Sequence, residues 1–208
     1  MNRREFLQTS LGGAALAAAP IYLDAADAAA GGRGIPTNGQ GHQSELLTLR
    51  KEAETLGKPE WREMLLYLAT LHEKGTHPGQ PAFPFEWEEI GIGYHARAFG
   101  HWDIVHIVLD VLSSMPIHAR HQILNNLANQ QADGLVPGSI YLERQWVDGK
   151  ERYVPDYNRT AGHPALWPFA VQAYYDHTGD TSLIAPCCEA LLRQIQWFET
   201  HRKAKPAG

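Results

Sequence analysis

Apolar residues recur at steps of three and four along most of the chain. Leu46, Leu49, Ala53 and Leu56 mark one helix face, the spacing that brings side chains together on a 3.6-residue period. Pro59 suits the first turn of a second helix, in which Leu65, Leu68, Ala69 and His72 keep the same period until Gly75 ends it. Residues 76–89, rich in proline and glycine ahead of FPFEWEEIG, predict a long connection that forms a wall of a cleft. Val105, Val108, Leu109 and Leu112 form one apolar stripe of the next helix, and Ile104, Ile107 and Val111 form another. A helix apolar on most faces is expected to be buried on most faces, as in the inner layer of a two-layered helical toroid.

Pro116 stops that helix, Ser113 or Ser114 is placed to cap its successor, and Ile117, Ile123, Leu124 and Leu127 carry the successor to Asp133-Gly134. Residues 135–162 show no convincing strand alternation and predict a long functional loop, with a small hairpin turn at Val147-Asp148-Gly149-Lys150. Leu166, Phe169, Ala170, Ala173 and Tyr174 then predict a helix ending at Gly179. Ile184, Cys187, Leu191, Ile195 and Phe198 predict a last one reaching about Arg202. The pattern is all-α, built from helical hairpins without a strict sequence repeat.

Composition narrows the partners. The 208 residues carry a formal net charge of -5 and no basic run, which argues against nucleic acid and anionic membrane surfaces and leaves small neutral ligands open. The only cysteines, Cys187 and Cys188, are neighbours that cannot close an ordinary disulfide, so they read as small core residues.

The first thirty residues read as a targeting segment. Arg3-Arg4 followed by Phe6-Leu7, a short glycine-broken apolar run and an alanine-rich end have the layout of a twin-arginine export signal. The apolar run is short for a membrane span. The expected organisation is a signal over residues 1–30, a linker over 31–41 and one domain over 42–208, placed in the periplasm or outside the cell and free of the membrane once the signal is cleaved.

Trp102-Asp103, at the start of the apolar helix, is the leading candidate for chemistry. An indole offers a flat apolar platform for a sugar ring and a carboxylate accepts hydroxyl hydrogen bonds. The same pair also satisfies a plainer reading, a core tryptophan with a carboxylate favoured by the helix dipole. His101, Asp103 and His106 match no metal signature, so no metal or cofactor is expected. His118 and His121 read as a solvated face. Asp103, Asp133, Glu143 and Asp156 are carboxylates in contexts that single out no catalytic acid.

Trp102-Asp103, LNNLANQQADGLVPGSIY, GHPALWPFAVQAYYDHTGD and QIQWFETHRKA occur in an order and spacing that resembles the six-hairpin (α/α) toroid glycosidases of the mannosylglycerate hydrolase, processing α-glucosidase and trehalase-like group. The resemblance spans about residues 93–204, and the Asn129-Gln130 to Pro137 pattern is its most specific part. It implies an (α/α)6 toroid and hydrolysis of an α-glycosidic bond, with Trp102, Asp103, His163 and Tyr141 around a sugar. His163-Pro164-Ala165 stands where the family has Gln-Pro-Pro, an imidazole in place of a sugar-contacting amide. The family's general acid and base stretches have no counterpart before Gly208, so the resemblance implies a partial toroid lacking its catalytic pair, with inner helices exposed to self-association. A non-catalytic exported domain binding carbohydrate or a partner protein stays open beside it.

Overall fold

The computed structural model describes residues 40–90, 97–158 and 165–202; the signal segment and His163 lie outside the described residues. The chain is mostly helical with two small sheets. Its α-helices are α1 (Gln40–Thr55), α2 (Arg62–Gly75), α3 (His101–Val111), α4 (Pro116–Ala128), α5 (Trp167–Thr178) and α6 (Ile184–His201), and its strands are β1 (Thr76–His77), β2 (Trp87–Glu88), β3 (Arg97–Phe99), β4 (Ser139–Val147) and β5 (Lys150–Asn158). No helix among the described residues is long and apolar enough to cross a membrane.

Consecutive helices pack in pairs, α1 on α2, α3 on α4 and α5 on α6, and α3 also packs on α5. The second predicted helix opens as a single 3-10 turn, Pro59–Trp61, before α2 proper. Gly75 and Gly179 end their helices as the sequence predicts. Gly179 adopts φ 69°, and its N–H reaches Tyr175 O, a left-handed cap that favours glycine. At the centre Phe83 stacks on Trp87 at 4.9 Å and tilts against Phe99 at 4.7 Å, with Ile104, Val108 and Met115 of the same cluster around them. Each such buried side chain contributes about 1.5–3 kcal/mol.

Four expectations are corrected. Residues 139–158 form a hairpin of two nine-residue strands, with β3 paired on its other side. The expected turn is present, Asp148 and Gly149 adopting φ 52° and 71°, the left-handed pair a two-residue hairpin turn requires. Alternation is weak because only Ile140 and Leu142 of β4 face the core, while residues 143–146 are exposed.

The second correction concerns which helix is buried. α3 keeps an exposed face formed by Trp102, Asp103, His106, Leu109 and Asp110. α4, the more polar of the two, is buried at every position from His118 through Leu127. Third, neither Ser113 nor Ser114 caps α4: Met115 holds the N-cap position, and Ser114 donates to Glu52 of α1. The cap comes from Glu45 of α1, whose two carboxylate oxygens accept the N–H groups of Ile117 at 2.7 Å and His118 at 3.0 Å. Those donors have no partner within their own helix. Fourth, α4 ends at Ala128 rather than at Gly134, and Cys188, expected in the core beside Cys187, is exposed.

Candidate functional site

α4 and its C-cap residue Asn129 carry a polar stripe, His118, His121, Gln122, Asn125 and Asn129, on one side. The stripe binds the backbone of residues 82–88. Gln122 accepts Glu88 N–H at 3.0 Å and donates to Glu86 O at 3.2 Å; Asn125 accepts Phe85 N–H at 3.1 Å and donates to Glu86 O at 2.9 Å; Asn129 donates to Ala82 O at 2.8 Å. These amides satisfy backbone groups that would otherwise be buried without partners, and they hold Glu86 and Glu88 against α4.

The two glutamates meet four histidines. Glu88 Oε1 lies 2.8 Å from His72 Nδ1 and its Oε2 3.0 Å from His118 Nε2. Glu86 Oε1 lies 2.5 Å from His121 Nδ1 and 3.7 Å from His118 Nδ1. The His121 ring stacks on Phe85 at 4.5 Å, and His42 of α1 stands over His118 with centroids 5.0 Å apart. The expectation of a solvated face for His118 and His121 is therefore overturned, since both are buried. The partner that buries them, the backbone of residues 82–88, lies more than thirty residues away in sequence.

Charge in this cluster follows from its geometry. Burial alone would lower the pKa of His118, but the Glu86 and Glu88 carboxylates outweigh burial and raise it to about 9. The same burial opposes ionisation of the glutamates. His118 beside it and the hydrogen bond from His121 nevertheless hold Glu86 well below the carboxylate range, and hydrogen bonds from His118 and His72 lower Glu88. His42 is pushed down to about 4, by burial first and then by the charge on His118. Burial raises Glu45 despite its two backbone donors. His42, Glu86 and His118 each offer one donor atom within 4.8 Å of the others, a set among the described residues that could hold a metal ion.

Glu88 also opens onto a cleft of about 230 Å³ between α2, α3 and the β2 segment. Glu88, Glu89, Asp103 and Asp110 supply its carboxylates and His72 and His106 its imidazoles, over a floor that includes Leu71 and Ile107. Glu89 is engaged by His77 at 3.0 Å and by Arg97 at 3.7 Å.

The predicted sugar residues separate in this frame. Asp103 lines the cleft, with an oxygen close over Gly100. Trp102 is 42% exposed, and its ring centre lies 6.2 Å from that of cleft-lining His106, so it sits on the surface at the rim rather than in the core. Tyr141 lies on β4 opposite Asp156 and outside the cleft lining. His163, and the side chain of His101, lie outside the described residues.

The motif residues of the Asn129–Pro137 stretch bind the scaffold. Gln130 donates to Gly134 O and Ala190 O at 2.9 and 2.8 Å, and Asp133 accepts Trp197 Nε1 at 3.1 Å. Trp167 Nε1 donates to Gln194 at 2.7 Å. The sequence reading placed His72 on a helix stripe and Glu86 and Glu88 in a cleft wall, but singled out none of these, nor His42, as a site residue. The available signal was a helix stripe of His, Gln and Asn with no lysine or glutamate among them, a composition suited to neutral burial rather than to solvent. Comparison with known proteins returns no matching family model, no matching curated protein and no matching solved structure.

Proposed function

We propose that this chain is an exported carbohydrate-binding domain of the (α/α) toroid glycosidase type, with the sugar seated at the mouth of the cleft below α3. The observation that carries the reading is the pairing of an exposed indole, Trp102, with a carboxylate-lined hollow that begins at the next residue, Asp103. A pyranose needs a flat apolar surface for its C–H face and acceptors for its hydroxyls, and the rim and lining supply one each. Hydrolysis of an α-glycosidic bond, with one carboxyl protonating the leaving oxygen and another activating water, belongs to this proposal through the resemblance. His163 and Tyr141 are proposed as neighbours of the same sugar. Export by the twin-arginine route rests on residues 1–30, and fractionation of expressing cells tests it.

Calorimetric titration of a glucose- and mannose-based panel checks the site. Asp103→Asn keeps the shape of the side chain and removes its charge, so binding should weaken by about 1–3 kcal/mol while the melting temperature stays within error. Unchanged affinity beside a large loss of stability would assign Asp103 to the fold alone. Turnover of α-glycosides separates a hydrolase from a binding module.

A further inference from the structure

We propose that His42, Glu86 and His118 bind one divalent transition cation of the zinc type, held between α1, α4 and residues 82–88. The donor set is two imidazoles and one carboxylate, which suits borderline metals such as zinc and not calcium or magnesium, which prefer oxygen. Zinc bonds of about 2.0–2.2 Å in tetrahedral array put neighbouring donors roughly 3.4 Å apart. His118 Nδ1 and Glu86 Oε1 stand 3.7 Å apart, and the three residues' donors lie within 4.8 Å of one another. A small inward movement of side chains closes that triangle on an ion.

The surroundings are those of a built metal centre. A metal-bound imidazole characteristically gives its second nitrogen to a carboxylate, which fixes the ring and raises its basicity. His118 gives Nε2 to Glu88, which leaves Nδ1 on the side of Glu86, and the His42 ring stands 5.0 Å from its own. Glu88 is steadied in turn by His72, and Glu86 by His121, itself stacked on Phe85. His42 Nδ1 is buried and has no hydrogen-bond partner among the described residues, which leaves it open to an ion. Three protein donors leave a tetrahedral cation one position for water, on the side where Glu86 keeps 21% of its side-chain surface.

The test uses the full chain, free of any polyhistidine tag and of metal, titrated with zinc chloride by calorimetry with a companion melt. One equivalent should bind and raise the melting temperature, and calcium chloride should do neither. His42→Ala removes a donor from a partly exposed position and should weaken zinc at least tenfold. Glu88→Gln, which unseats His118 without touching the ion, should weaken it about 10–100-fold. Residue-resolved carbethoxylation of the wild type needs no variant to fold: one equivalent of zinc should protect His42 and leave the exposed His177 and His201 reactive. Absence of uptake, uptake unchanged in His42→Ala, or modification of His42 undiminished by zinc would each overturn the site and leave a buried ion-pair cluster.

Discussion

Gln122, Asn125 and Asn129 give donors and acceptors to the backbone of residues 82–88, which also pairs with Gln80 at Phe83 and with β1 at Trp87 and Glu88. Asn125 serves two of those groups, Phe85 N–H and Glu86 C=O. Asn125→Ala strands the partly buried Phe85 N–H and leaves Glu86 C=O only its bond from Gln122, so a denaturant melt should show a loss of about 1–3 kcal/mol. Gln172→Ala, on an exposed face where it bonds only Asp176, should stay within about 0.5 kcal/mol of wild type. Equal effects would show that the stripe is not what holds the segment. The same residues explain what the sequence did and did not disclose. Trp102 and Asp103 stand out because they begin an apolar run. His118 and His121 sit in a polar stripe, and a polar stripe points to water unless its distant partner is known.

At the scale of elements, glycine marks two places where the chain must turn, for different reasons. Gly134 adopts φ 99°, and a Cβ there would stand 2.5 Å from the backbone oxygen of Arg193 on α6. Gly149, in the β4–β5 turn, adopts φ 71° with nothing within 4 Å. Gly149→Ala should therefore cost only the left-handed backbone penalty, about 1–2 kcal/mol. Gly134→Ala adds a clash with a rigid helix backbone and should cost more, and thermal melts of the two variants compare them directly. The ranking reverses if α6 yields freely. Gly149 was visible in sequence as a hairpin turn, whereas Gly134, read as a helix end, stands in a turn six residues past the end of α4. The strands flanking Gly149 were not visible, because residues 143–146 are exposed on both faces and leave no period-two hydrophobic signal. The helices were legible because apolar residues recur at 3.6-residue spacing, although Leu56, Leu68, Phe169, Ile184 and Ile195 of those stripes are exposed.

For the whole molecule, the helices differ in how firmly they are held. α4 buries His118 through Leu127 without a break, whereas α6, eighteen residues long, buries only Cys187, Ala190, Gln194 and Trp197. α6 is fastened by polar ties along one side: Trp197 to Asp133, Gln194 to Trp167, Ala190 O to Gln130, and Arg193 to Gln131 O and Ala132 O. Few buried apolar contacts and a small number of hydrogen bonds are the physical marks of a segment that opens below the global unfolding free energy. The adjacent cysteines report on this. Cys188 is exposed, while Cys187 is 5% exposed and burial, followed by the neighbouring Cys188, pushes its thiol up to about 12. A thiol reacts as its thiolate, so Cys187 should be silent while α6 is docked. One equivalent of thiol reagent should react at once in the native protein, at Cys188. With rising denaturant Cys187 should become reactive at concentrations below those that abolish the tryptophan signal of the Trp87 core, and Trp197→Phe should move that first transition lower still. Coincidence of the Cys187 and core transitions in the wild type would instead show that α6 and the α4 core unfold as one cooperative unit.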